Sequence, residues 1–191
     1  MTGLVLMAAG ASERMAQPKQ LLPYQGESLL RHAARVAIAS RCDRVFVVLG
    51  SSIERMRPEL SGLPVEIVEN PRWAEGMGAS IRVGAQAARD ADMDCLILAL
   101  ADQPLITPAI LNGLLAAHHA SGLPIVASQY SETVGVPALF AREFFDSLLA
   151  LEPDRGCKDI IIRNASKAMR LPCPEAAVDV DTPAQYRGLS E

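Results

Sequence analysis

The amino-terminal segment decides the fold, because an apolar run passes there directly into small residues: Gly3-Leu4-Val5-Leu6-Met7-Ala8-Ala9-Gly10-Ala11-Ser12. A continuous apolar run is typical of a strand buried on both faces, and we place this strand at 3–8. Similar runs predict strands at 44–49, 65–69, 94–100 and 124–128. Segments of helical period predict helices at 27–39, 78–89, 108–119, 142–149 and 183–189. This alternation predicts an α/β fold with a mostly parallel sheet.

Two of the predicted helices have clear start signals. Thr107-Pro108 and Thr182-Pro183 each place a hydroxyl at the N-cap and a proline at the first helical position, where the missing N–H costs nothing. The helix at 78–89 shows helical spacing of apolar side chains from just before its start. We expect its buried face to consist of Met77, Ile81, Ala85 and Ala88.

Size, charge and cysteine spacing exclude several classes of protein. A chain of 191 residues fits one domain, 1–191. The net charge is -4 and the cations are scattered, which argues against nucleic-acid binding. No apolar run approaches the roughly 20 residues of a membrane span, and no secretory signal is evident, so we expect a cytoplasmic protein. The cysteines form no Cys-x-x-Cys pair, so we expect free thiols and no structural zinc.

The loop after the first strand has the composition of a phosphate cradle. Small residues at Ala8, Ala9, Gly10 and Ser12 let backbone N–H groups approach an anion closely, and Arg14 and Lys19 follow as cations. The loop matches neither of the two commonest nucleotide-binding glycine motifs. On spacing alone, a small-residue turn with two solvated cations explains it equally well.

Acidic residues follow two other apolar segments. Asp102 ends the strand at 94–100, where we expect it to lie over the ligand crevice as a Mg²⁺ ligand. Asp179 and Asp181 occupy alternate positions near the last helix, and we favour Asp181 as the second ligand. The alternative is that these acids only cap turns and helix starts.

A fourth segment follows the strand at 65–69 and opens a helix: Asn70-Pro71-Arg72-Trp73-Ala74-Glu75-Gly76-Met77-Gly78-Ala79-Ser80. Glycine at a helix start allows a ligand to approach bare N–H groups, and Asn70 and Ser80 add polar groups that suit a base or ribose. We therefore predict that Asn70, Gly76 and Ser80 bind the nucleotide. The alternative is an ordinary turn with Trp73 packed on the surface.

The order of these segments resembles the MobA-like nucleotidyltransferases, and most of all the molybdenum cofactor cytidylyltransferases. The resemblance covers nearly the whole chain and includes Gly135-Val136-Pro137-Ala138 and Asp154-Arg155-Gly156. This chain departs from the family pattern at Ala16 and Pro153, where glycine is usual, and at Lys158, where arginine is usual.

The resemblance implies a single-domain, Rossmann-like, doubly wound sheet of the nucleotide-diphospho-sugar transferase type. It implies Mg²⁺-dependent transfer of CMP from CTP to molybdenum-bound molybdopterin, with a molybdoenzyme as client. Lys19, Arg14 and Asp102 would then be catalytic, Asp102 and Asp181 would hold the metal, and the acceptor would contact Gly135, Pro137, Asp154 and Arg155. Guanylyl-transferring relatives usually read Ala-Gly-Gly in the first loop, so Ala8-Ala9-Gly10 favours CTP over GTP.

Two alternatives stay open from the sequence. One is nucleotidyl transfer to another phosphorylated acceptor, such as a sugar phosphate or phospholactate. The other is a catalytically silent carrier of the finished cofactor, against which the presence of Lys19 and both candidate metal ligands weighs.

Overall fold

The computed structural model describes residues 1–12, 15 and 17–189. The predictions for Arg14 and Ala16 lie outside the described residues. The strands are β1 (Thr2–Met7), β2 (Pro23–Tyr24), β3 (Glu27–Ser28), β4 (Arg44–Leu49), β5 (Glu66–Glu69), β6 (Cys95–Leu100), β7 (Ile125–Tyr130), β8 (Thr133–Ala141) and β9 (Ala168–Pro172). The α-helices are α1 (Leu29–Ile38), α2 (Ile53–Met56), α3 (Met77–Asp90), α4 (Pro108–Ser121), α5 (Phe145–Leu149), α6 (Lys158–Arg163) and α7 (Pro183–Gly188).

Seven of these strands form one twisted sheet in the order β5-β4-β1-β6-β8-β7-β9. Strands β5, β4, β1 and β6 run parallel, β8 is antiparallel to both of its neighbours, and β9 is parallel to β7. The predicted α/β class with a mostly parallel sheet is therefore confirmed. Because the carboxyl ends of neighbouring parallel strands share one edge, the loops after β1 and β6 lie side by side there.

The central strand β1 has apolar side chains on both faces, as its continuous apolar sequence predicts. Val5 and Met7 belong to a core shared with α3, α5 and α6. Leu4 and Leu6 point to the opposite face and pack with α1 and α4. Successive side chains of a strand point to opposite faces, so β1 is covered by helices on both sides.

Strands β2, β3, β8 and β9 and helices α2 and α6 were not predicted from the sequence, and the helix predicted at 27–39 begins only at Leu29, because Ser28 is its N-cap. Gly135 and Pro137 interrupt the pattern of β8, since both residues usually mark turns. The structure accommodates Pro137 in a bulge, because the β7 register passes from Ala127 opposite Ala138 to Ser128 opposite Gly135. Ser128 Oγ donates to Pro137 O at 2.7 Å, so the bulge is hydrogen-bonded although proline has no N–H to offer.

Both predicted N-caps are confirmed. Thr107 Oγ1 accepts a hydrogen bond from Ile110 N, and Thr182 Oγ1 accepts one from Gln185 N. Among the described residues, no helix is long and apolar enough to cross a membrane. All four cysteines are free thiols, as expected from their spacing.

The buried face of α3 differs from the prediction at its first residue. Ile81, Ala85 and Ala88 are fully buried, but Met77 is 47% exposed, because it lies at the helix start beside a cavity. The centre of the buried face is Gly84. A Cβ at this position would lie 2.4 Å from Val5 Cγ1, so the helix approaches the sheet more closely than alanine allows.

Gly84→Ala is therefore expected to destabilise the protein, although alanine is normally the better helix former. Overpacking should lower the free energy of unfolding by about 1–3 kcal/mol, more than the roughly 1 kcal/mol gained in helix propensity. Gly113 in α4 is the matched control, since a Cβ there meets nothing within 4 Å. Gly113→Ala should raise the stability by about 0.5–1 kcal/mol. Urea unfolding of both variants tests the pair, and equal effects would contradict the packing argument.

Candidate active site

Three charged side chains from distant parts of the chain meet at the carboxyl edge of the sheet. Lys19 Nζ donates hydrogen bonds to Asp102 and, at 2.5 Å, to Asp181 Oδ1. The side chains of Lys19, Asp102 and Asp181 are 13%, 16% and 28% exposed. The expected convergence of the two acids and the lysine is thus present in the structure.

Local structure explains how each of the three residues reaches this point. Asp102 follows β6, and its carbonyl accepts a hydrogen bond from Val180 N at 2.9 Å. That bond holds the carboxyl-terminal segment against the end of β6 and brings Asp181 alongside Asp102. Lys19 begins a short 3₁₀ turn, Lys19–Leu21.

The charges in this cluster are strongly coupled. Burial raises the pKa of Asp102 above its usual range, and the positive charge of Lys19 offsets only part of the rise. Burial lowers the pKa of Lys19, but attraction to Asp102 and the hydrogen bonds to both acids outweigh burial and raise the pKa overall. The ammonium is therefore charged at neutral pH and compensates part of the negative charge of the acids.

One oxygen of Asp102 is available for a further ligand. Within the described residues, Asp102 Oδ1 is buried and has no hydrogen-bond partner. A buried carboxylate oxygen without a partner is costly and therefore rare. Carboxylate oxygens are the ligands that Mg²⁺ prefers, and one or two of them suffice when substrate phosphates supply the others. The residues present at this site therefore fit a divalent cation bound together with a nucleotide.

The two acids near the chain end have different partners. Asp179 Oδ1 accepts a hydrogen bond from Gln185 Nε2 at 2.9 Å, so Asp179 faces the start of α7. Asp181 carries its side chain to Lys19, as stated above. The geometry thus supports the choice of Asp181 over Asp179 as the acid that accompanies Asp102.

A cavity of about 220 Å³ lies beside the charged cluster and connects it to the first loop. Among the described residues, no protein group accepts a hydrogen bond from the N–H groups of Ala9, Gly10 or Ala11. The lining residues are Met7, Ala8, Ala9, Gly10, Lys19, Gln20, Trp73, Gly76, Met77, Leu100, Ala101 and Asp102. The cavity thus combines backbone N–H donors, one cation and one carboxylate with a largely apolar wall.

The start of α3 meets the cavity through different residues from those predicted. Asn70 and Ser80 are buried and bond to each other, Nδ2 to Oγ at 3.0 Å, and neither lines the cavity. Their predicted contact with a base or ribose stays a prediction; in this structure their side chains close the loop internally. Trp73 and Met77 form the wall instead, and Gly50 leaves room for Trp73, whose Cβ would lie 2.4 Å from a Cβ there.

The glycines at the start of α3 admit protein backbone rather than a ligand. Gly78 N donates to Pro153 O at 2.8 Å, and a Cβ at Gly78 would lie 2.0 Å from Glu152 O. A Cβ at Gly76 would lie 2.6 Å from Pro153 O. The expectation of bare N–H groups at this helix start is therefore wrong at Gly78, although Gly76 does line the cavity.

The four residues predicted to bind the acceptor lie in two segments of the chain, β8 and the loop before α6. Gly135 and Pro137 are buried in β8. A Cβ at Gly135 would lie 2.3 Å from Tyr130 Oη. Asp154 is exposed beside the start of α3, and Arg155 is 3.8 Å from Asp159 at the surface. None of the four lines the cavity beside Lys19.

Two buried glutamines of the site were missed by the sequence interpretation. Gln20 lines the cavity and bonds to the first loop. Gln103 Nε2 donates to Ala176 O at 2.8 Å and so ties the carboxyl-terminal segment to the end of β6. Their only sequence signal is their position directly after Lys19 and Asp102.

Comparison of the chain with known protein families identifies the family to which it belongs. Residues 4–168 match the MobA-like NTP transferase domain. The chain belongs to the MobA-like NTP transferase family. The fold likewise places it among Rossmann-like nucleotidyltransferases of the nucleotide-sugar transferase type.

Relatives of this MobA-like chain carry diverse names. A nicotine blue oxidoreductase from Paenarthrobacter nicotinovorans is 36% identical over 115 residues, which cover 60% of this chain and 55% of that protein. The purine catabolism protein PucB from Bacillus subtilis is 28% identical over 95% of this chain and 92% of its own length.

A solved structure is similar over almost the full MobA-like chain. Rv0371c from Mycobacterium tuberculosis has a TM-score of 0.84 at 30% identity, covering 98% of this chain and 96% of that chain. A complex of Rv0371c with manganese gives a TM-score of 0.81 at 29% identity, with 98% and 96% coverage.

The charged cluster predicts a large loss of stability when its cation is removed. In Lys19→Met, two partly buried carboxylates face each other without the ammonium. Removing one partner of a buried ion pair lowers the free energy of unfolding by about 3 kcal/mol. Urea unfolding in EDTA measures the loss, and adding Asp181→Asn should restore part of it. Lys167→Met is the control, because Lys167 and Glu143 pair at 3.2 Å at the surface, where each is over half exposed. Its effect should stay below about 1 kcal/mol, and equal losses in both single variants would contradict the electrostatic account.

Proposed function

We propose that this chain is a Mg²⁺-dependent nucleotidyltransferase that transfers CMP from CTP to molybdenum-bound molybdopterin and releases pyrophosphate. The observation that carries the proposal is the meeting of Lys19, Asp102 and Asp181 beside a cavity walled by the first loop. Membership of the MobA-like family supports the reaction class. The proposed client is a molybdoenzyme that takes up the finished dinucleotide.

Asp102 and Asp181 are the proposed ligands of the divalent cation. The unpartnered Asp102 Oδ1 supports this assignment, as does the existence of a manganese complex of Rv0371c. When bound, the cation neutralises phosphate charge and polarises the phosphorus that is attacked. Lys19 then exchanges one of its carboxylate contacts for a phosphate oxygen, which its flexible four-carbon stem allows.

The chain itself supplies positioning and charge rather than a base. The N–H groups of Ala9, Gly10 and Ala11 hold the triphosphate, and Lys19 stabilises the charge that develops on the leaving pyrophosphate. An oxygen of the acceptor phosphate attacks the α-phosphorus, and the bond from that phosphorus to the bridging oxygen of pyrophosphate breaks. A phosphate monoester has a second pKa of about 6 and is largely dianionic at neutral pH, so no proton needs to be removed. Arg14 is the second cation that we propose for the triphosphate.

The proposed preference for CTP rests on the first loop and on the cavity. Ala8-Ala9-Gly10 differs from the Ala-Gly-Gly usual in guanylyl-transferring relatives. Trp73 and Met77 provide an apolar wall of the kind against which a base packs. The backbone of the loop, rather than Asn70 and Ser80, is then the part of the chain that offers polar contacts.

Single substitutions in the cluster should greatly slow turnover without unfolding the chain. Lys19→Ala, Asp102→Asn and Asp181→Asn should each lower pyrophosphate release by about 10²–10³-fold, because each removes a preorganised contact with the transition state. Asp179→Asn is the matched control, since Asp179 bonds to Gln185 instead of Lys19. A coupled assay for pyrophosphate checks all four variants. Near-normal turnover of Lys19→Ala or Asp102→Asn would refute the assignment.

The nucleotide donor can be identified before the acceptor is known. We expect calorimetric titration in Mg²⁺ to give tighter binding of CTP than of GTP, ATP or UTP. We expect EDTA to weaken that binding by about tenfold or more, because Asp102 and Asp181 would hold a cation that would neutralise phosphate charge. Preference for another NTP would overturn the CTP assignment alone. Binding of no NTP would overturn the nucleotidyltransferase proposal.

A panel of acceptors separates the proposed reaction from the two alternatives. Pyrophosphate release with a sugar phosphate or phospholactate, but not with molybdopterin, would identify a different transferase. Tight binding of the finished cofactor without Mg²⁺-dependent turnover would identify a carrier.

A further inference from the structure

Gln20 is a buried polar side chain in the wall of the candidate active site. Only 3% of the residue is exposed, and it directly follows Lys19 in the same 3₁₀ turn. A primary amide has two N–H donors and one carbonyl acceptor, all of which need partners when the side chain is buried. The partners of Gln20 therefore show what its side chain holds in place.

Both amide donors of Gln20 are directed at the first loop. Nε2 donates to Ala8 O at 3.3 Å and to Gly10 O at 3.1 Å. The carbonyl between them, Ala9 O, accepts from Ser51 N at 3.0 Å. Three successive carbonyls of the loop are thus held by donors from other parts of the chain.

These bonds determine the direction of the N–H groups of the loop. In a trans peptide unit the C=O and the following N–H point in opposite directions. Fixing the carbonyls of Ala8, Ala9 and Gly10 therefore also fixes the N–H groups of Ala9, Gly10 and Ala11. Each of these N–H groups points away from the carbonyl of its own peptide unit. These are the N–H groups that donate to no acceptor among the described residues.

The carbonyl end of the same amide connects the loop to the backbone of Lys19. Gln20 Oε1 accepts from Ser12 Oγ at 3.2 Å, and Ser12 Oγ accepts from Lys19 N at 3.0 Å. Ser12 has a left-handed backbone with φ 57°, which is uncommon outside glycine. The hydrogen bonds of its hydroxyl thus hold the strained backbone of Ser12 next to the backbone N–H of Lys19.

We propose that Gln20 is a positioning residue. It orients the triphosphate-binding N–H groups and fixes the backbone of Lys19 relative to them. This inference deepens the proposed nucleotidyl transfer and rests on it. Gln20 acts through the loop, because its own amide is occupied by Ala8, Gly10 and Ser12.

The proposal explains why the position requires an amide. Glutamate has the same shape, but it would direct a carboxylate at two carbonyl oxygens and bring a negative charge close to the phosphates. Methionine has similar volume and flexibility, but it offers no donor. The two substitutions therefore separate loss of the hydrogen bonds from addition of charge.

The test measures the affinity of Gln20→Met and Gln20→Glu for CTP and for CMP by calorimetry in Mg²⁺, together with kcat, KM and Tm. The loop acts on the triphosphate, so we expect the CTP affinity of Gln20→Met to fall by about tenfold or more, with a smaller change for CMP. Gln20→Glu should bind CTP still more weakly. KM for CTP should rise more than kcat falls, because the substitution weakens triphosphate binding more than it slows the chemical step.

Two further variants keep the outcome decisive. Gln25→Met is the control, because Gln25 is exposed and its amide donates to Tyr24 Oη. It should bind both nucleotides as the wild type does. Ser12→Ala breaks the relay to Lys19 from a partly exposed position, so it replaces the Gln20 variants if these do not fold, and it should also weaken CTP more than CMP.

The outcomes distinguish this inference from the proposed function. If the wild type binds CTP and folded Gln20→Met binds it equally well, the positioning role is overturned while nucleotidyl transfer stands. Equal weakening of CTP and CMP, with a lower Tm, would identify a purely structural role and overturn the inference as well. If the wild type binds no NTP, both the proposed function and the inference fail.

Discussion

A buried ammonium shared by two carboxylates is the interaction on which the site depends. Carboxylates withdrawn from water are unstable unless positive charge or donors lie beside them, and Lys19 contacts both Asp102 and Asp181. The acids come from the middle and from the end of the chain, whereas the lysine comes from its beginning. The charges are therefore balanced only after the sheet has formed and the carboxyl-terminal segment has docked.

Hydrogen bonds and apolar contacts together hold that last segment in place, because Val180 is buried against Leu22 and Leu29. Val180 N donates to the carbonyl of Asp102, and Gln103 Nε2 donates to Ala176 O. Hydrogen bonds are directional, so they fix the orientation of Asp181 more closely than apolar packing alone. Two residues at the end of β6 thus contribute to the position of the second acid, together with the burial of Val180.

The structure also determines which backbone groups remain for an anion. At the start of α3, Gly78 is close-packed against the carbonyls of Glu152 and Pro153, which satisfies the N–H of Gly78 within the protein. In the first loop the opposite holds, because the carbonyls of Ala8 and Gly10 are satisfied, whereas the N–H groups of Ala9, Gly10 and Ala11 donate to no acceptor among the described residues. The two segments therefore differ in the N–H groups that they leave for a ligand, although both contain small residues.

The sequence by itself determined the parallel core of the fold, both proline-associated helix starts, and Asp102 at the end of a buried strand. Each of these is a local property, since periodicity, capping and strand ends depend on residues close together in the chain. Only the tertiary structure decided that Pro137 lies in a bulge of β8, that Asn70 bonds inward, and that Met77 and Gln20 face the cavity. These features depend on contacts between segments far apart in sequence, and no local pattern specifies which partner a polar side chain will meet.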